Sequence, residues 1–406
     1  MKRVFFLNRY FFPDHCATSQ LLSDLAFDLA AAGMDVHVIT SQQLYDEPEA
    51  RLPAQELIRG VHIHRVSTTR FGRAKLIGRA IDYLSFYVSA RRALLTLIRR
   101  DDVVVAMTDP PLISIIAMQV AQRRQARLVN WLQDIYPEVA LELGIPFLRG
   151  PILRLILYLR DRCLKNATCN VVVGERMAAI VAGRGAPSEQ IHLIPNWTDD
   201  NEIRPIAHMA NALRREWKLE DKFVLGYSGN LGRAHEYETV LGAAEIVKSD
   251  PNIIFLFVGG GHQFDMLARL VKERGLTNFR FMPYQNRELL KYSLAVADVH
   301  WVSLRPELEG LIVPSKIYGI AAAGRPVISI AAKDGEIAGI IGRHKCGINI
   351  EPGDSSGLAS TLLHLSKNAD DCREIGNRAR TMLDSHFTRR QAVEQWRNVV
   401  IRAGRH

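Results

Sequence analysis

The chain breaks its own rhythm once, and that break limits what it can fold into. Short β-branched runs alternate with longer helical stretches up to about residue 195, the pattern lapses, and the alternation resumes at Phe223. Such alternation predicts a parallel sheet with helices on both faces, and its restart predicts two of them. At 406 residues the chain also exceeds what one hydrophobic core usually organises. In the first series, strands are expected at 4–7, 36–40, 61–66, 103–107, 127–131, 170–173 and 192–194. A helix is expected at 19–32, capped by Thr18 or Ser19 and closed by Gly33. The lapse, 195–222, is polar and turn-rich around Asn196–Asn201, holds Pro205, and reads as a linker. The second series has strands at 223–227, 253–258, 279–282, 299–303, 327–330 and 347–350, and a last helix from 387 to about 403. The expectation is α/β: doubly wound domains at 1–196 and 197–386 facing each other across a cleft, with 387–406 crossing back to the first.

A hydrophobic share of 48% and a charged share of 23% exclude a disordered chain. The five cysteines form no CxxC pair, so neither a zinc site nor a disulfide framework is expected. Asn8, Arg9 and Asp14 interrupt the opening apolar run, which suits a strand better than a signal peptide. No run reaches the ~18 uncharged apolar residues of a spanning helix, so a cytoplasmic protein is expected.

Turns after parallel strands attract anions, because backbone N–H groups and the helix dipole point outward there. Three such turns stand out. Ser228–His235 follows the first strand of the second series and offers Gly229, Asn230, Gly232, Arg233 and His235. Gly259-Gly260-Gly261 ends the next strand and would leave room for a flat group such as a nucleobase or ribose. Glu309-Gly310 leads through Pro314 to Ser315-Lys316, with Pro314 expected in the first turn of a helix at 315–323. Tyr284, in the loop 283–287, joins this donor-side set. Each turn, taken alone, reads equally as a tight turn or solvated surface. No GxGxxG follows any strand, which counts against a dinucleotide dehydrogenase. In the first series Asp134 follows the strand 127–131 and is a candidate acceptor-side base or a helix cap. His62 and His64 alternate on one strand without acidic or sulfur partners at ligand spacing and read as polar residues of an edge strand.

With these residues in view, the chain resembles the retaining family-four glycosyltransferases of the GT-B fold. The likeness rests on the opening NRYFFPDHCATSQLLSDLAFDLAAAGMDVHVIT, on Leu193-Ile194-Pro195-Asn196, and on the string from Pro314 to Ile328. It is closest to exopolysaccharide and O-antigen types. The resemblance implies a nucleotide-diphosphate sugar held mainly by the second domain, without a cofactor or metal. Catalytic roles would fall to Asp134, Glu309, Arg233 and Lys316, and donor contacts to Gly229, Asn230, Gly232, His235, Gly259, Gly260, Gly261, Tyr284, Gly310 and Ser315. Asn230 and His235 stand where the family commonly has Arg and Lys. Gly319 stands where the second glutamate of the Glu-x7-Glu motif is expected. A sugar-nucleotide epimerase and a non-catalytic nucleotide-binding scaffold fit the same fold.

The net charge of +9 is concentrated. Between 65 and 100 there are nine basic residues against one acid, Asp82. The segment 79–100 places Tyr83, Tyr87, Ala90, Leu94 and Leu97/Ile98 at helical spacing. The segment 147–165 is apolar nearly all round, with Arg149, Arg154, Arg160, Arg162 and Lys165. Both predict helices lying on an anionic inner-membrane surface, with a lipid-linked or glycan acceptor; ordinary core helices with solvated charges are the other reading. No nucleic-acid reader motif accompanies the charge.

Overall fold

The computed structural model describes residues 2–47, 49–72, 76–144 and 149–405. It divides into two compact units, Met1–Pro195 with Ala392–His406, and Asn196–Gln391.

Unit 1 runs β1 (Arg3–Leu7), α1 (Ala17–Ala31), β2 (Asp35–Ser41), β3 (Gln55–Ile58), β4 (Val61–Val66), α2 (Leu76–Leu97), β5 (Val103–Ala106), α3 (Ile113–Arg124), β6 (Arg127–Leu132), α4 (Glu138–Glu142), α5 (Gly150–Asn166), β7 (Cys169–Val172), α6 (Glu175–Gly183) and β8 (Ile191–Leu193). Its sheet has the order β3-β4-β2-β1-β5-β6-β7-β8, parallel except for β3. Val4–Leu7, Val103–Ala106 and Cys169–Val172 are buried throughout, the signature of strands covered on both faces.

Three sequence expectations change here. Neither Thr18 nor Ser19 caps α1: the N-cap is Cys16, whose N–H is taken by Asp14 Oδ1 at 2.7 Å, while Ser19 donates to the Asp14 carbonyl. β3 was not expected, because its four residues are exposed or half-buried and Leu57 faces solvent; it closes on β4 through Arg59 and Gly60, both at positive φ. Consequently β4, with His62 and His64, is not the edge strand. His37 stacks on His62 and its Nδ1 lies 3.0 Å from His64 Nε2. No group of three His, Cys, Asp or Glu suited to a metal occurs among the described residues.

Unit 2 runs α7 (Ala212–Glu216), β9 (Phe223–Asn230), α8 (Glu238–Ile246), β10 (Ile253–Gly260), α9 (Phe264–Glu273), β11 (Phe279–Met282), α10 (Leu290–Val296), β12 (Val299–Ser303), α11 (Lys316–Ala322), β13 (Val327–Ile330), α12 (Glu336–His344), β14 (Gly347–Ile350), α13 (Ser355–Lys367) and α14 (Ala369–His386). The last helix, α15 (Arg389–Arg405), belongs to unit 1 from Ala392 on, and within that unit Trp396 packs on Trp131, ring centroids 4.6 Å apart. The six strands are all parallel in the order β11-β10-β9-β12-β13-β14. Tyr227, Phe255, Phe257, Phe279 and Trp301 fill its core, each contributing roughly 1.5–3 kcal/mol by burial.

The segment expected as a linker is built into unit 2. Asn211 caps α7 by accepting from the N–H of Leu213 and Arg214, and donates to the Tyr292 carbonyl. Buried Arg214 pairs with Asp298 at 3.2 Å.

Candidate active site

In an open parallel sheet, ligands gather where the strand order reverses, beyond the carboxyl ends of the strands. In unit 2 that point lies between β9 and β12. The turn after β9 is tied there: the Arg305 N–H donates to the Ala234 carbonyl, and the Glu236 N–H donates to Ser303 Oγ at 3.1 Å. His235 Nδ1 lies 2.8 Å from the Ser303 carbonyl, which only accepts, so Nδ1 carries the proton. That leaves the Nε2 lone pair facing Lys316 Nζ at 3.4 Å. The same ammonium lies 5.3 Å from the centre of the Tyr227 ring. Burial, then the Lys316 charge, pulls His235 down to about 3, and burial pushes Lys316 down to about 8. The pair is therefore a neutral imidazole and a partly desolvated cation, poised beside a glycine turn to meet an anion.

Lys316 is the first residue of α11, Ser315 is its N-cap, and Pro314 lies outside the helix rather than in its first turn. Asn230 and Arg233 are exposed in the same turn, and Gly232 is half-buried. The triple glycine differs from expectation. On the side where side chains would stand, protein fills the room: a Cβ at Gly259 would overlap the Gly229 carbonyl, and one at Gly261 would overlap Asn230 and the Leu231 backbone. Gly260 faces the Tyr284 ring, itself mostly exposed. These glycines let β9 and β10 turns pack closely; they do not leave an open floor.

Glu309 also has a structural task. Its Oε2 accepts from the Glu336 N–H at 3.1 Å, at the start of α12, and Gly335 is small because the carboxylate fills the space beside it. Gly310 follows at φ +75°. Gly319 faces Leu294 and Thr198 at ordinary contact distance. Sequence reasoning missed Tyr227 and Ser303, which hold Lys316 and His235; their positions near the ends of β9 and β12 were the available signal.

In unit 1 the order reverses between β1 and β5. The Arg9 N–H donates to the Asp109 carbonyl at 2.7 Å, joining the two loops. Asp134, after β6, lines a pocket with Thr108, Leu112, Tyr136 and Arg160. Burial first, then the Asp109 charge, pushes its carboxyl up to about 7, against a hydrogen bond from Thr108. A carboxyl with that affinity can accept a proton near neutral pH.

The basic face is also redrawn. Arg160 is buried and donates to both carboxylate oxygens of Glu138, at 2.7 and 2.8 Å; buried Arg65 pairs with Glu56. Ala90, Leu94 and Ile98 lie in the core, while the exposed apolar residues of α2 are Ile77, Ile81, Leu84 and Val88. α5 exposes Ile152, Leu155 and Tyr158. Arg73, Lys75 and Phe147 lie outside the described residues. No helix among the described residues is long and apolar enough to cross a membrane.

Two family models divide the chain between them: "Glycosyl transferase 4-like domain" matches residues 18–197 and "Glycosyl transferases group 1" matches 210–382. The chain is a family-four glycosyltransferase of the GT-B fold. This glycosyltransferase is 27% identical to "Probable glycosyltransferase WbjE" of Pseudomonas aeruginosa, over 73% of the chain and 74% of that protein. It is likewise 27% identical to "Putative colanic acid biosynthesis glycosyl transferase WcaI" of Escherichia coli K12, over 68% and 69%. Among solved structures it matches sucrose-phosphate synthase from Thermosynechococcus elongatus with a TM-score of 0.79, at 18% identity and 99% coverage of both chains. Anabaena HepE in complex with UDP-glucose matches with a TM-score of 0.72, at 16% identity, over 98% of this glycosyltransferase and 99% of HepE.

Proposed function

We propose that this glycosyltransferase takes a sugar from a nucleotide-diphosphate donor held by unit 2 and passes it to a lipid-linked glycan in cell-surface polysaccharide biosynthesis, with retention at the anomeric carbon. The observation that carries the reading is the Lys316–His235 pair beside Gly229 at the strand-order reversal of unit 2. The solved HepE complexes hold UDP or UDP-glucose, and WcaI is described by colanic acid biosynthesis.

In the proposed reaction the bond between the anomeric carbon and the diphosphate oxygen breaks, and its electron pair leaves with the diphosphate. The acceptor hydroxyl oxygen bonds to the same carbon on the face that was vacated. Lys316, Arg233 and the N–H groups of the 228–235 turn offset the charge of the leaving diphosphate. Asp134 takes the acceptor's proton. Gly229, Asn230, Gly232 and His235 shape the diphosphate turn, Gly259, Gly260 and Gly261 support it, and Tyr284, Gly310 and Ser315 border it. Glu309 acts by fixing α12 beside the donor.

The acceptor reading places 79–100 and 147–165 on the cytoplasmic face of the inner membrane, supported by the exposed apolar residues of α2 and α5 among arginines. The test is incubation of the purified protein with radiolabelled nucleotide sugars and a membrane lipid extract. Label entering the organic phase is the expected result; the absence of both transfer and hydrolysis with every common donor would overturn the reading.

A further inference from the structure

Gln263 stands at the N-cap of α9 without capping it. A short Ser, Thr, Asp or Asn is the usual choice there, and the Gln263 side chain makes no bond to its own helix. It reaches instead to the turn after β9. The amide nitrogen donates to the Gly232 carbonyl at 2.8 Å and to the His235 carbonyl at 3.0 Å. Both partners only accept, so the end of the amide that faces them is the nitrogen. The backbone N–H of Gln263 donates to the Leu231 carbonyl at 3.0 Å. Gly261 brings the two turns this close: a Cβ there would overlap Asn230 Oδ1 and the Leu231 backbone. One residue thus holds three carbonyls of the donor turn.

Those bonds give the turn a polarity. In a trans peptide the carbonyl of one residue and the N–H of the next lie in one plane and point opposite ways. Holding the Leu231 carbonyl therefore turns the Gly232 N–H away from Gln263, and holding the Gly232 carbonyl does the same for the Arg233 N–H. Neither N–H makes a hydrogen bond among the described residues, and Arg233 is exposed. The other carbonyls are drawn in as well: Asn230 accepts from the Tyr227 hydroxyl at 2.7 Å, and Ala234 accepts from the Arg305 N–H at 3.0 Å. Successive N–H groups left without partners, between carbonyls that are all engaged, make a concavity suited to an anion.

We propose that Gln263 is the positioning residue of the donor turn: its amide fixes the Gly232–Arg233 peptide so that the N–H groups of Gly232 and Arg233 meet the diphosphate. This rests on the donor reading above and adds the side chain that orients its backbone donors. Gln263 itself does not touch the nucleotide. Without its amide, the Gly232 carbonyl loses its outside partner and keeps only the bond from the His235 N–H, at 3.1 Å within the turn.

The test is calorimetric binding of UDP, GDP, ADP and dTDP to the full chain at pH 8 and pH 5, in the wild type, Gln263→Met and Gln263→Glu. Affinities are compared with the wild type at the same pH, for the nucleotide that the wild type holds most tightly. Gln263→Met keeps the length of the side chain without its donor, and is expected to bind about tenfold more weakly at both pH values. Gln263→Glu at pH 8 sets a carboxylate, which only accepts, against two carbonyls, and is expected to lose at least about tenfold. At pH 5 the protonated carboxyl donates again, and about threefold or more of that deficit is expected to return. This acid rescue separates a donated bond from mere packing, because Gln263→Met has nothing to titrate. Wild-type affinity in Gln263→Met would overturn the proposal, and so would a Gln263→Glu deficit equal at the two pH values. Should Gln263→Met fail to fold, the two Gln263→Glu ratios still decide. A wild type that binds none of the four nucleotides would overturn the donor reading, and this proposal with it.

Discussion

Each unit carries titratable groups beyond the carboxyl ends of its parallel strands, and burial acts on them with opposite consequences. In unit 2 it removes positive charge: Lys316 falls to about 8 and His235 to about 3. In unit 1 it removes negative charge: Asp134 rises to about 7. Desolvation penalises whichever form is charged, so one physical cause produces a cation ready for an anion and a carboxyl ready for a proton. The comparison teaches that the sheet supplies position, while the side chains ending each strand decide the chemistry.

The most severe way to break the comparison is Asp134→Asn. Loss of the proposed base is expected to lower kcat about a thousandfold, read by transfer of labelled sugar. The same substitution is expected to raise Tm at pH 8 but not at pH 4. The sign follows from linkage: the folded carboxyl holds its proton up to about 7, and the unfolded one releases it near 3.8. Above 3.8 the unfolded state therefore binds fewer protons, and this group lowers stability as pH rises toward 7. Lys316→Ala comes next, with an expected loss of about a hundredfold in kcat from weaker stabilisation of the leaving diphosphate. With both groups intact, kcat/KM should rise through about 7 as Asp134 ionises and fall above about 8 as Lys316 loses its proton. A pH profile flat from 6 to 9 would contradict one or both assignments.

Smaller effects sharpen the contrast between structural and chemical residues. Gly261→Ala puts a side chain at φ +124° against the Leu231 backbone, and is expected to cost about 2 kcal/mol in denaturant unfolding. Arg233→Ala removes an exposed charge and is expected to raise the donor KM only about fivefold.

Much of this fold was legible because buried parallel strands advertise themselves. Val299–Ser303 and Val327–Ile330, buried throughout, fall where the apolar runs predict, and so do the part-buried edge strands Phe279–Met282 and Gly347–Ile350. β3 was hidden because Gln55–Ile58 is exposed on alternate residues and lies at the sheet edge, where burial leaves no pattern. At the donor turn, residue types were readable but tasks were not. Glycines that would admit a ligand and glycines that admit a neighbouring loop look alike in sequence, and only the position of the Gly229 carbonyl separates them at Gly259. Glu309 was readable as an acidic residue before a helix, but not as the partner of a second helix, α12, that begins 27 residues on. On α2, helical spacing correctly grouped Ala90 and Leu94, yet spacing alone does not say whether a stripe faces core or solvent; here it faces core.

The central claim is that Lys316 meets the diphosphate of a nucleotide. Calorimetry of UDP, GDP, ADP and dTDP binding at pH 8, repeated in buffers of different ionisation enthalpy, tests it directly. An anion settling beside a lysine that titrates near 8 raises its pKa, so binding should take up a fraction of a proton. The expected result is proton uptake with at least one nucleotide in the wild type, and in Lys316→Met no uptake and at least about tenfold weaker binding. Equal affinity and equal proton uptake in the two proteins, or no binding of any of the four nucleotides to the wild type, would contradict the account.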